Sequence, residues 1–288
     1  MNFFTIWKTL WKQLLKHKLV LLFLIALCGF LYWISDPEHR SLPLALAVAA
    51  GIFAGIDLLI TLLMYVHMKP SFPYYRIMEE CGPCEEAVLM HRHLFPNPST
   101  DERLARIDLL IAMFRMEEAE AEFAALRPEG LTGLMRLRYL NDALLLYAYT
   151  LRREPLWNLF QSCRQEAGSL AEKYPQFALV YFNTANLALA LNGDAEGSEM
   201  YCRYTEREAA NKKGSDKAVA EILAMITRVE QAYALGLYDE AAKLDAQIRS
   251  AVAERSNAIK QPWRHSMFLK LLDHAKIFAP NYNTGVTL

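Results

Sequence analysis

The sequence has little cysteine, no familiar catalytic motif and no surplus of positive charge. Five cysteines in 288 residues are too few for a disulfide-stapled secreted scaffold. No phosphate-cradling glycine loop, Gly-x-Ser-x-Gly elbow or His-Glu-x-x-His pair occurs, so nothing recommends an enzyme and none is expected. After Pro70, period-two alternation and hairpin-turn pairs are almost missing, which argues against a sheet. The formal net charge of -1 is split: residues 1–69 carry six Lys/Arg against three Asp/Glu, the remainder 25 against 29. An acidic remainder lacks the basic face a nucleic acid requires, so no such partner is expected. Apolar residues, in contrast, make up 53% of the chain, too many for a disordered one.

Much of that apolar content sits at the N-terminus. Over residues 1–18, Phe3, Phe4, Trp7, Leu10, Trp11, Leu14 and Leu15 recur at helical spacing, with Lys8, Lys12, Lys16 and Lys18 as the cationic complement. This pattern suits a basic amphipathic helix lying in a headgroup layer, where rings bury and ammonium groups stay hydrated. The alternative is a positive flank to the next segment. Leu19 to Ile34 is uncharged and, as a helix, reaches about 24 Å, near the roughly 30 Å of a hydrocarbon core. Its flanks carry no small-x-small cleavage site, so a removed signal peptide is not expected. A polar turn, Ser35 to Ser41, leads into Leu42 to Met68, whose single charge is Asp57. Residues 19–68 are therefore expected to form a two-helix transmembrane hairpin, 19–34 and 42–68. Four lysines precede it and Lys69 and Arg76 follow, against Arg40 in the loop, so both termini are expected in the cytoplasm of a cell-membrane protein.

Two features of the second span carry candidate roles. Ala47, Gly51 and Gly55 make a small-xxx-small face that packs on the first helix or on a second copy of the chain. Asp57 is costly in a membrane; it either contacts a partner membrane protein or is tolerated, with Thr61 four residues on as a local donor.

The remainder reads as helical hairpins. Leu104, Ile107, Leu110, Ile111 and Phe114 form one stripe; Leu137, Leu140, Leu144 and Tyr147 another; Ile222, Met225, Ile226, Val229 and Tyr233 a third. Short breaks at Arg152 to Pro155, Asn192-Gly193-Asp194 and Leu235-Gly236-Leu237 alternate with longer ones at Arg127 to Gly130, Tyr174-Pro175 and Asn211 to Ser215, the mark of paired helices. The stretch from Ala232 to Ala242, AYALGLYDEAA, resembles the tetratricopeptide repeat, with Gly236, Tyr238 and Ala241 at its turn and small-residue positions. Phe182 to Asp194 with Ser198, and Arg115 to Phe123 with Ala119, resemble parts of the same repeat. Small positions at Ala119, roughly Asn158, Ser198 and Ala241 lie further apart than the family's usual period. The whole is expected to be all-α: the membrane hairpin, a linker over 69–99, then, as the resemblance implies, an α-solenoid of about four tetratricopeptide-like pairs in 100–288, ended by a capping helix at His265 to Phe278. The resemblance also implies a groove that binds a protein or peptide. There Asn141, Asn183 and Asn186 bond a ligand's backbone or carboxylate, with positive charge from Arg136, Arg138 and Arg228. The other reading of these residues is internal hydrogen bonding or solvent exposure.

The linker holds Cys81-Gly82-Pro83-Cys84. A redox pair at such spacing needs a strand before it and a βαβ setting, neither of which the sequence offers. Adding His91 and His93 gives two sulfurs and two imidazoles, chemically a zinc set, with His91 on the same helical face as Cys84. A helix break with incidental cysteines is the plainer reading. The chain is thus expected to be a membrane-anchored, cytoplasm-facing helical-repeat scaffold for protein–protein interaction. The alternatives are a thiol redox or zinc module at Cys81 and Cys84, and a membrane-complex subunit acting through Gly51, Gly55 and Asp57, including self-association. Zinc aside, no cofactor is expected.

Overall fold

The computed structural model describes residues 42–175, 177–254, 259 and 261–279, with isolated helical positions at 24, 26, 27, 29–31 and 34. The expected interfacial helix 1–18, most of the expected first span and the turn 35–41 lie outside the described residues. All regular structure among the described residues is helical. The chain divides into two compact units, Met1–Arg76 and Ile77–Leu288.

In the first unit, helix α1 (Leu42–Met68) is continuous over 27 residues, about 40 Å long. Pro43 sits in its first turn, where a missing N–H costs nothing. Ile56, Leu58, Leu59, Leu62, Leu63 and Val66 are exposed, whereas Asp57 and Thr61 are buried. Thr61 does not donate to the Asp57 carboxylate as expected; its hydroxyl donates to the Asp57 backbone carbonyl at 2.8 Å, the usual threonine bond to the preceding turn. Among the residues whose side chains are described, no helix is long and apolar enough to cross a membrane. Within α1, side chains at 42–46, 49, 52, 53 and 67 lie outside that set.

A 3-10 turn, Lys69–Ser71, leads to α2 (Phe72–Glu80). The second unit contains α3 (Glu85–Leu94), α4 (Thr100–Ala112), α5 (Met116–Ala124), α6 (Gly133–Tyr149), α7 (Arg153–Lys173), α8 (Ala178–Leu191), α9 (Ala195–Asn211), α10 (Ser215–Ala234), α11 (Tyr238–Glu254) and α12 (Trp263–Ala275), closed by a 3-10 turn at Lys276–Phe278. Ser99 and Glu102 start α4 with a reciprocal capping box, which satisfies two orphan donors. Asp194 caps α9 by accepting from Gly197 N at 2.9 Å.

Helices α4 to α11 pair as hairpins, α4 with α5, α6 with α7, α8 with α9 and α10 with α11. First helices also pack on one another, α4 on α6, α6 on α8 and α8 on α10. This makes an inner layer of α4, α6, α8 and α10 against an outer layer of α5, α7, α9 and α11, a solenoid-like arrangement. Its core is Leu137, Leu140, Leu144, Phe160, Tyr181 and Leu187 in the middle pairs, and Ile222, Ile226, Val229, Ile248 and Phe268 at the C-terminal end.

The four turns inside the pairs share one backbone design. Phe114, Leu151, Gly193 and Gly236 adopt φ of 59°, 55°, 83° and 76°. In each, the next residue's N–H reaches back to a carbonyl five residues earlier: Arg115 to Leu110, Arg152 to Tyr147, Asp194 to Leu189 and Leu237 to Ala232. This is the Schellman closure, which satisfies carbonyls left over at a helix end. Counting five residues past each left-handed position lands on Ala119, Leu156, Ser198 and Ala241, all fully buried or nearly so. The small position assigned to Asn158 therefore belongs to Leu156, and Asn158 is exposed. The break at 212–214 is also as short as those inside the pairs, because Gly214 at φ 61° turns the chain within three residues.

Helix α12 packs on α10 and α11, as a terminal cap does, and then reaches further. His274 stacks on Phe114 of the first pair, and Phe278 packs against Tyr149 of the second, with ring centroids 5.5 Å apart. At its other end the Trp263 ring lies on Gly82, where a Cβ would overlap the indole, and Trp263 Nε1 donates to the Glu79 carbonyl at 3.2 Å.

Candidate functional site

A cavity of about 270 Å³ opens on the inner layer, walled by α4, α6, α8, α10 and α12, with Thr205 of α9 at its back. Most of its wall is apolar, including Ile111, Leu145, Val180 and Leu271. Its charged wall residues are Asp108 and Glu230, both acidic. Glu230 is 1% exposed. Its Oε1 accepts from the Tyr149 hydroxyl at 2.9 Å. Burial pushes the carboxyl up to about 7, against the neighbouring Tyr149 and Asn183 side chains, which favour the carboxylate. Asn183 lies beside the same group, yet no donor stands in good hydrogen-bond geometry at Glu230 Oε2, and Asn183 Oδ1 is also unpartnered. A wider depression along Asp194 to Arg207 is drawn from α9 and its cap alone and gathers no comparable buried group.

Of the three asparagines expected in the groove, Asn183 lines this cavity and the other two do not. Asn186 is fully buried between α8, α9 and α10. Its Oδ1 accepts from Ser198 Oγ at 2.5 Å and Cys202 Sγ at 3.5 Å, and its Nδ2 donates to the Thr227 carbonyl at 3.4 Å. Gln231 extends the network by donating to Ser198 Oγ at 2.9 Å. At the same distance before the turn, the other pairs carry Ile107, Leu144 and Val229, so Asn186 replaces an aliphatic core residue with an internally bonded amide. Asn141 occupies the same repeat position as Asn183 but is 2% exposed, with both amide atoms unpartnered. Beside it, burial and the nearby Asp108 hold the Asp142 carboxyl well above its ordinary range.

The arginines do not bring positive charge to the cavity. Arg228 is clamped by Glu206 at 2.7 Å and by Glu199. Arg136 binds Glu166 through two bonds of 3.0 and 3.1 Å, and Arg138 pairs with Asp101 and, at 2.6 Å, with Asp108. The positive groove implied by the resemblance is replaced by an acidic, largely apolar one.

The linker residues do not assemble a metal site. Among the described residues no group of three or more His, Cys, Asp or Glu is placed to hold a metal ion. Cys81 and Cys84 are free thiols in the break between α2 and α3, and Gly82 turns the chain at φ 67° beneath Trp263. His91 is buried on α3. Its Nδ1 accepts from Arg106 Nε at 3.3 Å, and burial followed by the Arg106 charge lowers its pKa to about 4. Arg106 in turn reaches the Phe95 carbonyl at 2.7 Å and Glu122 at 2.9 Å, so His91 belongs to a tie between α3, α4 and α5. In α1, a Cβ at Gly51 or Gly55 would meet nothing within 4 Å; among the described residues, no neighbouring helix covers that face.

Sequence reasoning misses Tyr149 and Glu230. Glu230 sits in an otherwise apolar helical stripe, and that lone carboxylate is the signal that could have found it. No family model, curated protein or solved structure matches the chain.

Proposed function

We propose that the chain is a membrane-anchored helical-repeat scaffold that binds a protein partner on the inner layer of its stacked pairs. The observation that carries the binding half is the cavity itself. It is apolar, faces inward from four successive first helices, and contains a buried carboxyl whose hydrogen-bonding capacity is not filled from within. Natural interiors rarely leave such atoms unpaired unless something else uses them. The shared turn of the four pairs supports the tetratricopeptide-like reading of the fold. The anchoring half rests on sequence: α1 is a continuous helix with one charge in 27 residues, preceded by a second uncharged run. Tethering would raise the cavity's effective concentration for partners at the same membrane.

A photo-crosslinking residue placed in the full-length chain in cells tests the binding half. Val180, 39% exposed at the cavity, should give a discrete protein adduct. Lys243, exposed on α11 of the outer layer, should not. Equal labelling from both positions, or none from Val180, would contradict the reading.

A second reading has its own observation. The Gly51/Gly55 face, covered by none of the described residues, suits close approach of another membrane helix, including that of a second copy. In this reading Gly55→Leu abolishes association while the second unit stays folded.

A further inference from the structure

We propose that the inner-layer cavity is a site for the ammonium group of a small apolar amine, held by Glu230 and Asn183. The inference deepens the partner-binding reading by giving the chemistry of what the cavity recognises, and rests on that reading only for the location.

The polar inventory of the cavity decides the ligand's chemistry. Every hydroxyl donor on its wall is already committed. Tyr149 donates to Glu230, Thr205 to the Tyr201 carbonyl at 3.1 Å and Thr227 to the Leu223 carbonyl at 3.0 Å. Asp108 is taken by Arg138. The atoms left without a partner are Glu230 Oε2 and Asn183 Oδ1, both acceptors once Glu230 is ionised. A ligand that completes this site must bring donors and no negative charge. An alkylammonium carries three donors and a positive charge, whereas a carboxylate would face two acidic side chains with only the Asn183 amide N–H groups to bond it. The rest of the wall is aliphatic, so the body of the ligand is apolar. Size agrees: an engineered cavity of ~150 Å³ takes benzene, and about 270 Å³ has room for a ring and a two-carbon arm.

Both unpartnered atoms are shielded from bulk solvent and belong to residues that line the cavity. Binding a cation also favours ionised Glu230, whose pKa burial pushes up to about 7. Affinity should therefore rise from pH 6 to pH 8. The titratable groups around it do not reverse this. Tyr149 is held neutral by burial, Asp108 is paired with Arg138, and burial lowers His274 at the Phe114 rim from its ordinary value.

The test is calorimetric titration of the full-length chain in detergent with phenethylammonium, 2-phenylethanol and 3-phenylpropionate. A peptide with a free N-terminal Phe, compared with its acetylated form, separates a protein source of the ammonium from a free amine. Saturable binding of phenethylammonium or of the free-ended peptide supports the proposal if it is at least tenfold tighter than the neutral or acetylated counterpart. Glu230→Gln should weaken that binding at least tenfold with the melting transition retained; Glu208→Gln on α9 should leave it unchanged. Equal binding of 2-phenylethanol, unchanged binding in folded Glu230→Gln, or no binding of either amine would overturn it. A Val180 adduct in cells without amine binding would sink this proposal and leave the scaffold reading standing. Amine binding without any adduct would do the reverse.

Discussion

Leu151 holds a backbone conformation that costs a residue bearing a Cβ about 1–2 kcal/mol, at φ 55°. Its side chain is 42% exposed and contributes little packing in return. Gly193 holds the equivalent place at φ 83°, with open space around its missing Cβ. Leu151→Gly should therefore raise stability by about 1 kcal/mol, and Gly193→Ala should lower it by a similar amount. Denaturant melts of both variants against the parent check the opposite signs. Glu230 gives a pH prediction. Burial raises its pKa from 4.5 to about 7, so the folded chain keeps a proton that the unfolded chain has released. The contribution is fully present below about pH 4.5 and is lost as pH rises toward 7. Its size is about 3 kcal/mol. Melts at pH 5 and pH 8 should differ by less in Glu230→Gln than in the parent. An unchanged difference would place the carboxyl in water.

At the scale of single elements, what was legible depended on whether a backbone feature had a residue-type signal. The turns at Gly193 and Gly236 were readable because glycine marks a left-handed residue. The same turns at Phe114 and Leu151 carry no such mark, and the second pair's register slipped by two residues, from Leu156 to Asn158. Helical stripes located the pairs because burial of one face imposes their spacing. They left the asparagines undecided, since spacing cannot separate a residue facing the cavity from one bonded inside the core. Asn183 and Asn186 are three positions apart on α8 yet differ in this way. Asn186→Ala should cost about 2 kcal/mol, because it removes the buried acceptor of the Ser198 hydroxyl and the donor to the Thr227 carbonyl. Asn183→Ala should leave the melting transition nearly unchanged. Similar costs for the two would contradict this division of roles. The surroundings of His91 were hidden as well: it is turned into the α3–α4–α5 tie by Arg106, a contact that no local spacing announces.

For the whole molecule, the division into two compact units after Arg76 falls seven residues past the charge split drawn after Lys69 in the sequence. The all-helical architecture and the paired helices were expected from pattern alone. The acidic lining of the cavity was not, because it depends on which arginines find carboxylates across helices: Arg228 with Glu199 and Glu206, Arg138 with Asp101 and Asp108. The reach of α12 from Gly82 to Phe114 was equally hidden, resting on contacts between residues far apart in sequence. The account joins a membrane tether to a cytoplasm-facing binding layer, and the side of the membrane on which the second unit lies tests that joint most directly. Cys81 is exposed and Cys84 half-buried in the break before α3, while Cys163 and Cys202 are buried. With Cys28, Cys163 and Cys202 replaced by serine, a membrane-impermeant thiol reagent should label Cys81 and Cys84 only after the cells are permeabilised, and without added reductant. Labelling of intact cells would put the helical pairs on the outer side and contradict the account.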